Sequence, residues 1–128
     1  MWKLGSAIMA LVLSLSVAAT ELVIETWRVD YAALWKERIL PRFQAKYPDI
    51  TVRLDPIASA TYPQTLLKRL EEGKGGDLIT CLPYDQSLSL FQKGYLLELT
   101  ELPGMENFPS FAKAAWQTDT GAQVFCLP

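Results

Sequence analysis

Glu71-Glu72-Gly73-Lys74-Gly75-Gly76-Asp77-Leu78-Ile79-Thr80 stops one helix and opens a buried strand, and the fold follows from that junction. Gly73 closes the helix, because glycine enters the left-handed backbone region without steric cost. The helix it closes starts at Thr61-Tyr62-Pro63-Gln64, a capping-box pattern, and turns Tyr62, Leu66, Leu67 and Leu70 to its inner face. Upstream, Ile50, Val52 and Leu54 alternate with Thr51 and Arg53, the period of a strand with one wetter face near a sheet edge. Before it, Trp35, Ile39, Phe43 and Tyr47 recur at i+4 spacing and predict the core stripe of another helix. Pro41 falls inside that helix, removes one backbone donor and predicts a kink or break near Leu40, and Tyr47-Pro48-Asp49 ends it. Leu22 to Thr26 is short, apolar and β-branched, the character of a strand buried on both faces. Strands joined by helical crossovers pair in parallel, so the fold class is α/β with a mainly parallel sheet and flanking helices.

Downstream, Leu78 to Leu82 predicts the third buried strand. Asp85 is placed to cap a helix through Leu88 and Phe91, which Gly94 ends in the left-handed conformation. Leu96, Leu97 and Leu99 form an apolar hook that packs back on the sheet, and Pro103-Gly104 and Asn107-Phe108-Pro109 are loop signals. A short helix is expected around Phe111 to Trp116. Thr118-Asp119-Thr120-Gly121 turns into a last strand, Gln123 to Cys126.

The first nineteen residues form a separate unit, 1–19, with the domain proper at 20–128. Lys3 supplies a positive start, Leu4 to Val17 is almost wholly apolar, and Val17-Ala18-Ala19 offers small residues for cleavage. Removal after Ala19 exports a protein that starts at Thr20. Retained, the segment is instead a membrane anchor. No Cys lies near the cleavage point, so lipid attachment is not indicated and a free periplasmic protein is expected.

Composition excludes several functions. Twelve basic against 14 acidic residues, a net charge of −2, give no electrostatic reason for a nucleic-acid partner. The chain has no His, which removes imidazole as metal ligand or general base. Neither C-x-x-C nor a metal-ligand spacing occurs, and no cofactor is implied. Cys81 and Cys126 each fall at a strand end. An oxidising compartment permits one bridge if their Cα atoms come within roughly 7 Å, and two buried thiols behaving as small hydrophobes is the other reading.

Parallel strands place ligands beyond their carboxyl ends. Three segments meet there: Thr26-Trp27-Arg28 with Asp30, Pro56 to Ala60, and Cys81 to Asp85. Trp27 and Tyr84 offer flat faces for the C–H surface of a sugar, and Arg28, Asp30 and Asp85 offer donors and acceptors for hydroxyls. Each has a plainer use. Trp27 can cover the sheet edge, Arg28 and Asp30 can pair with each other, Asp85 can cap its helix, and Asp77 can bond loop backbone.

The ordered set of features resembles the N-terminal part of a family 1, maltose-binding-protein-like extracellular solute-binding protein of a sugar ABC transporter. The resemblance runs through Thr26-Trp27-Arg28, Phe43…Tyr47-Pro48-Asp49-Ile50-Thr51-Val52, Tyr62 and Gly76-Asp77-Leu78-Ile79. It continues through Gly94-Tyr95-Leu96-Leu97-Glu98-Leu99 and Thr118-Asp119…Gly121…Val124-Phe125-Cys126-Leu127-Pro128. It implies the first lobe of a two-lobed, type II-like fold, a sugar or oligosaccharide held between lobes, and ABC permease subunits as partners. Two positions depart from the family's pattern: Gly76 stands where Pro is usual before the strand Asp, and Cys126 where Gly is usual before Leu-Pro. The family pattern is two to three times longer, so the resemblance implies that this chain stops at the crossing to the second lobe and presents half a site. The alternatives are a small exported α/β enzyme, disfavoured by the lack of His and of a G-x-S-x-G motif, and a signal-anchored interaction domain.

Overall fold

The structure is a computed structural model that describes residues 20–128. The 1–19 segment, its cleavage point and its anchoring alternative lie outside the described residues. Three strands form one parallel sheet in the order β2-β1-β3: β1 (Thr20–Thr26), β2 (Ile50–Pro56) and β3 (Leu78–Ile79). β1 and β2 pair along their whole length, from Thr20 beside Ile50 to Thr26 beside Pro56, and β3 meets β1 only at Ile24 and Glu25. The two crossovers run in opposite directions across the sheet, so right-handed connections put their helices on opposite faces.

The first crossover is helical from Val29 to Lys46. A 3-10 turn (Val29–Tyr31), one α turn α1 (Ala32–Leu34), a π segment (Trp35–Ile39) and α2 (Leu40–Lys46) follow one another without a break. The break expected at Pro41 is therefore a π turn. Leu40 N–H bonds Trp35 C=O, five residues back, and Pro41 then sits in the first turn of α2, where a missing donor costs nothing. The extra residue also splits the core stripe, of which Trp35 and Phe43 stay half-buried. Across a wide turn the i+4 rows rotate, so Leu40 and Trp35 are half-buried while Ile39 and Tyr47 are 38% and 41% exposed.

The opposite crossover is α3 (Tyr62–Glu71), followed after β3 by α4 (Tyr84–Gln92). Their inner faces build the main core: Tyr62, Leu66, Leu82 and Leu90 are buried, with Trp27, Ile57, Leu67, Leu70, Ile79, Tyr95 and Leu96 packed around them. Burying these side chains at about 1.5–3 kcal/mol each is what holds two short helices on a narrow sheet. The expected capping box does not form, since the Thr61 hydroxyl bonds Ala58 C=O instead. Nor does Asp85 cap α4. Pro83 is the N-cap residue, and Asp85 falls inside the first turn, where its charge favours the helix dipole. Gly73 and Gly94 close their helices at φ of 68° and 80°.

β1 differs from the strand buried on both faces: Leu22, Val23 and Ile24 are only half-buried, and its buried residues are Glu25 and Thr26. β3 is two residues long, against five expected, and Leu78 is 56% exposed. The last strand reduces to one antiparallel bridge, Gln117 to Val124, around the Thr118 to Gly121 turn. Its residues are nonetheless well placed, for Val124, Phe125 and Cys126 are buried. α5 (Ser110–Ala114) precedes that hairpin. The hook divides: Leu96 packs on the core, Leu97 is exposed, and Leu99 N–H bonds Val124 C=O at 2.7 Å. Among the described residues no helix is long and apolar enough to cross a membrane.

Candidate functional site

The carboxyl ends of β1 and β3 lie side by side at the point where the strand order reverses, the place where open α/β sheets leave a crevice. Their junction is hydrogen-bonded in three layers. Thr80 N–H bonds Glu25 C=O at 2.9 Å, the Thr80 hydroxyl donates to the Thr26 hydroxyl at 2.8 Å, and the Trp27 indole N–H donates to Cys81 C=O at 3.2 Å. Trp27 is thus fixed by a bond across the crevice and by packing on the core, with its ring half-buried.

Arg28 follows at the rim. Its backbone N–H bonds the Thr26 hydroxyl at 3.0 Å, and its guanidinium grips Asp30 with two bonds, Nε to Oδ1 at 3.0 Å and Nη2 to Oδ2 at 2.8 Å. The guanidinium carbon lies 4.0 Å from the Tyr31 ring centre and 5.2 Å from that of Trp27. Hydrogen bonding to Asp30 raises the Arg28 pKa, and the same contact holds the Asp30 carboxyl below its ordinary range. The surface pair is therefore formed, and with Trp27 and Tyr31 it makes an aromatic and ionic platform.

Tyr84 occupies a second wall. Its hydroxyl reaches Gln117 C=O at 2.8 Å and Asp119 Oδ1 at 3.0 Å, and its ring leans on Phe125, 5.7 Å between centres. Desolvation first, then the Asp119 carboxylate, raises the Tyr84 pKa. Phe125 also touches Phe91 at 5.6 Å and Trp116 edge-on at 6.4 Å. Asp85 stands apart. It lines a groove of about 360 Å³ between α3 and α4, with Leu67, Leu82, Gln86 and Lys93.

Cys81 and Cys126 are joined as a disulfide with Cα atoms 6.4 Å apart, which ties the second wall to the end of β3. Residue types alone did not single out Trp116, Gln117, Asp119 and Phe125; the signal was the aromatic spacing of Trp116 and Phe125 around a Thr-Asp-Thr-Gly turn. Also missed was a charge cluster behind the site. Arg69 Nη1 lies 2.7 Å from Glu25 Oε1 and 2.8 Å from Asp55 Oδ2, with Glu25 1% exposed. Glu25 and Asp55 are register partners on β1 and β2, so one guanidinium bridges both. Asp77 bonds strand backbone, its Oδ2 accepting Val23 N–H at 2.8 Å.

Compared with known proteins, residues 27–128 match the family model described as bacterial extracellular solute-binding protein. No curated protein matches the chain. Among solved structures, a probable secreted solute-binding lipoprotein from Streptomyces coelicolor superimposes with a TM-score of 0.68 at 19% identity, over 81% of this chain and 27% of its own. A sugar transporter from Rhizobium etli, in an open conformation, gives 0.66 at 21% identity over 86% of this chain and 28% of its own. The galacto-N-biose-/lacto-N-biose I-binding protein of an ABC transporter from Bifidobacterium longum, solved with lacto-N-biose, gives 0.65 at 19% identity, over 87% and 28%. The chain thus spans about a quarter of the length of these proteins and shares their fold.

Proposed function

Because the chain belongs to the bacterial extracellular solute-binding proteins, we propose that it forms part of the substrate-binding component of an ABC transporter for carbohydrate, exported to the periplasm and delivering its sugar to the permease. The observation that carries this reading is the platform of Trp27, Arg28 and Tyr31 at the crevice mouth, with Tyr84 as the second wall. A half-buried indole fixed by its N–H presents its face at little entropic cost, and sugar C–H groups stack on such a face. Arg28 and Asp30 supply donors and acceptors beside it for ring hydroxyls. The Bifidobacterium neighbour, bound to lacto-N-biose, supports the substrate class.

The protein acts as a binding module with no chemistry of its own. The polar groups at the site hold one another in place, Arg28 with Asp30 and Tyr84 with Gln117 and Asp119, which suits orienting a ligand rather than activating a nucleophile. Asp85 faces the α3–α4 groove, away from Trp27 and Arg28, and is left out of the proposed site.

Saturation-transfer NMR with a panel of mono- and oligosaccharides tests the reading, because it detects contacts as weak as millimolar. Sugar ring protons should receive saturation from the chain, and Trp27→Ala should abolish the effect while the far-ultraviolet spectrum stays unchanged. Signals from no sugar, or signals that survive Trp27→Ala, would remove the carbohydrate assignment.

A further inference from the structure

The two walls of the site come from distant parts of the chain, and one covalent bond joins them. Trp27 hangs on the carbonyl of Cys81 at 3.2 Å. Tyr84 is braced by Phe125 and by the turn that carries Gln117 and Asp119. Cys126 follows Phe125 directly and is bonded to Cys81, 45 residues away. The segment so tethered has little ladder of its own, one bridge at Gln117 and Val124, with Leu99 N–H donating to Val124 C=O, Val124 N–H to the Thr100 hydroxyl and Phe125 N–H to Trp116 C=O.

We propose that Cys81 and Cys126 are positioning residues for the sugar site: the disulfide fixes the Tyr84–Phe125 wall against the Trp27 platform, and opening it releases both walls together. The proposal rests on the carbohydrate reading for its ligand and on the contacts above for its geometry. With the bridge closed, the Cys81 carbonyl is held in the orientation that receives the indole N–H, and Phe125 is held under the Tyr84 ring. With the bridge open, the 117–126 segment is kept by a few backbone bonds, by aromatic contacts and by side-chain bonds to Tyr84, Glu98 and Thr100, with no covalent link to the end of β3.

Opening requires a dithiol reductant and is chemically balanced. Cys81 is half-buried and Cys126 is closed off at 1% exposure, so the thiolate attacks the Cys81 sulfur. A mixed disulfide forms on Cys81 and Cys126 leaves as the thiolate. The second thiol of the reductant then closes its own ring and frees Cys81, so that one dithiol is oxidised and two cysteine thiols form.

The test uses the whole chain, the chain treated with dithiothreitol, and the Cys126→Ser variant. Three measurements run in parallel: the Trp27 indole N–H resonance, assigned with Trp27→Phe; amide exchange of residues 117–126 against that of β1 and α3; and saturation transfer to the sugar. Reduction should move the indole resonance and speed exchange across 117–126 at least tenfold with β1 and α3 unchanged. Cys126→Ser should reproduce both effects and lose all response to dithiothreitol. Sugar saturation should fall severalfold in either case. An indole resonance and local exchange indifferent to reduction would overturn the proposal, and so would exchange that rises everywhere at once, which marks a global staple. If the indole and the segment respond but no sugar is seen in either state, the positioning role stands and the carbohydrate reading fails.

Discussion

Replacing Arg69 with Met isolates what the buried charge cluster does. The substitution keeps the long unbranched stem on α3 and removes the guanidinium that touches Glu25 at 2.7 Å and Asp55 at 2.8 Å. Two costs appear together. Glu25 stays 1% exposed with no cation, and its Oε2 has no hydrogen-bond partner among the described residues. Glu25 and Asp55, opposite each other on parallel strands, then face one another as like charges. Breaking a fully buried pair costs about 3–5 kcal/mol, whereas an exposed pair is worth about 0–1 kcal/mol. The Arg69 side chain is 33% exposed and that of Asp55 27%, so solvent screens part of the loss, and a cost of roughly 2–3 kcal/mol follows.

For a domain of this size that lowers the melting temperature by on the order of 10 °C, read by circular dichroism. Arg53→Met is the control. Arg53 is half exposed and lies 3.7 Å from Glu21 and 3.8 Å from Asp55, so its loss should cost less than about 0.5 kcal/mol. Adding Glu25→Gln to Arg69→Met removes the stranded charge and should restore most of the stability. Equal melting points for Arg69→Met and Arg53→Met, or no recovery from Glu25→Gln, would refute the reasoning.

Two further outcomes follow from packing and titration. A Cβ on Gly76 would lie 2.9 Å from both Val23 O and Glu25 Cγ, and the carbonyl belongs to a paired strand that cannot yield. Gly76→Ala should cost about 1–3 kcal/mol in urea denaturation. Gly75→Ala should cost less, because the nearest atom there is the end of the Leu70 side chain, which can turn away. The Tyr62 hydroxyl donates to Thr80 C=O at 2.8 Å, and burial, followed by the Glu25 charge, raises its pKa above the ordinary 10.0. A phenol whose folded pKa is raised contributes stability that is fully present below pH 10 and is lost as pH climbs toward the folded value. Wild-type stability should therefore fall more steeply above about pH 10 than that of Tyr62→Phe, which starts about 1 kcal/mol lower for the lost bond. Parallel slopes would contradict the assignment.

The sequence announced the sheet because its signals are local. Ile50, Val52 and Leu54 are all half-buried in β2, joined there by Asp55, and the inner face of α3 carries Tyr62 and Leu66 at 0% exposure. What it did not announce depends on partners far along the chain. An i+4 stripe assumes 3.6 residues per turn, and one π turn before Pro41 breaks that assumption, leaving Ile39 and Tyr47 exposed. A Glu within a strand reads as a polar interruption, and nothing near Glu25 points to Arg69, 44 residues on. The candidate site was half legible. Trp27, Arg28 and Asp30 share one turn and were found together, whereas the partners of Tyr84 come from a segment 33 to 35 residues away with no strand period of its own.

Gly76 and Cys126 act on the two flanks of β3, the second through its bridge to Cys81, and their positions give them a common reason. A two-residue strand makes too few ladder bonds to hold itself beside β1. It is held instead by what flanks it. On the entry side, Gly76 lets the backbone pass close to Val23 and delivers Asp77, whose carboxylate takes the Val23 N–H and acts as one more rung. On the exit side, Thr80 and Cys81 bond Glu25, Thr26 and Trp27, and the Cys126 bridge fixes Cys81 itself. A Cβ at 76 would lie 2.9 Å from both Val23 O and Glu25 Cγ, and without the bridge at 126 the Cys81 carbonyl would be tied to Trp27 by a single hydrogen bond. Both residues thus make up for a short ladder, and the second does so through Cys81, whose carbonyl accepts the Trp27 indole N–H.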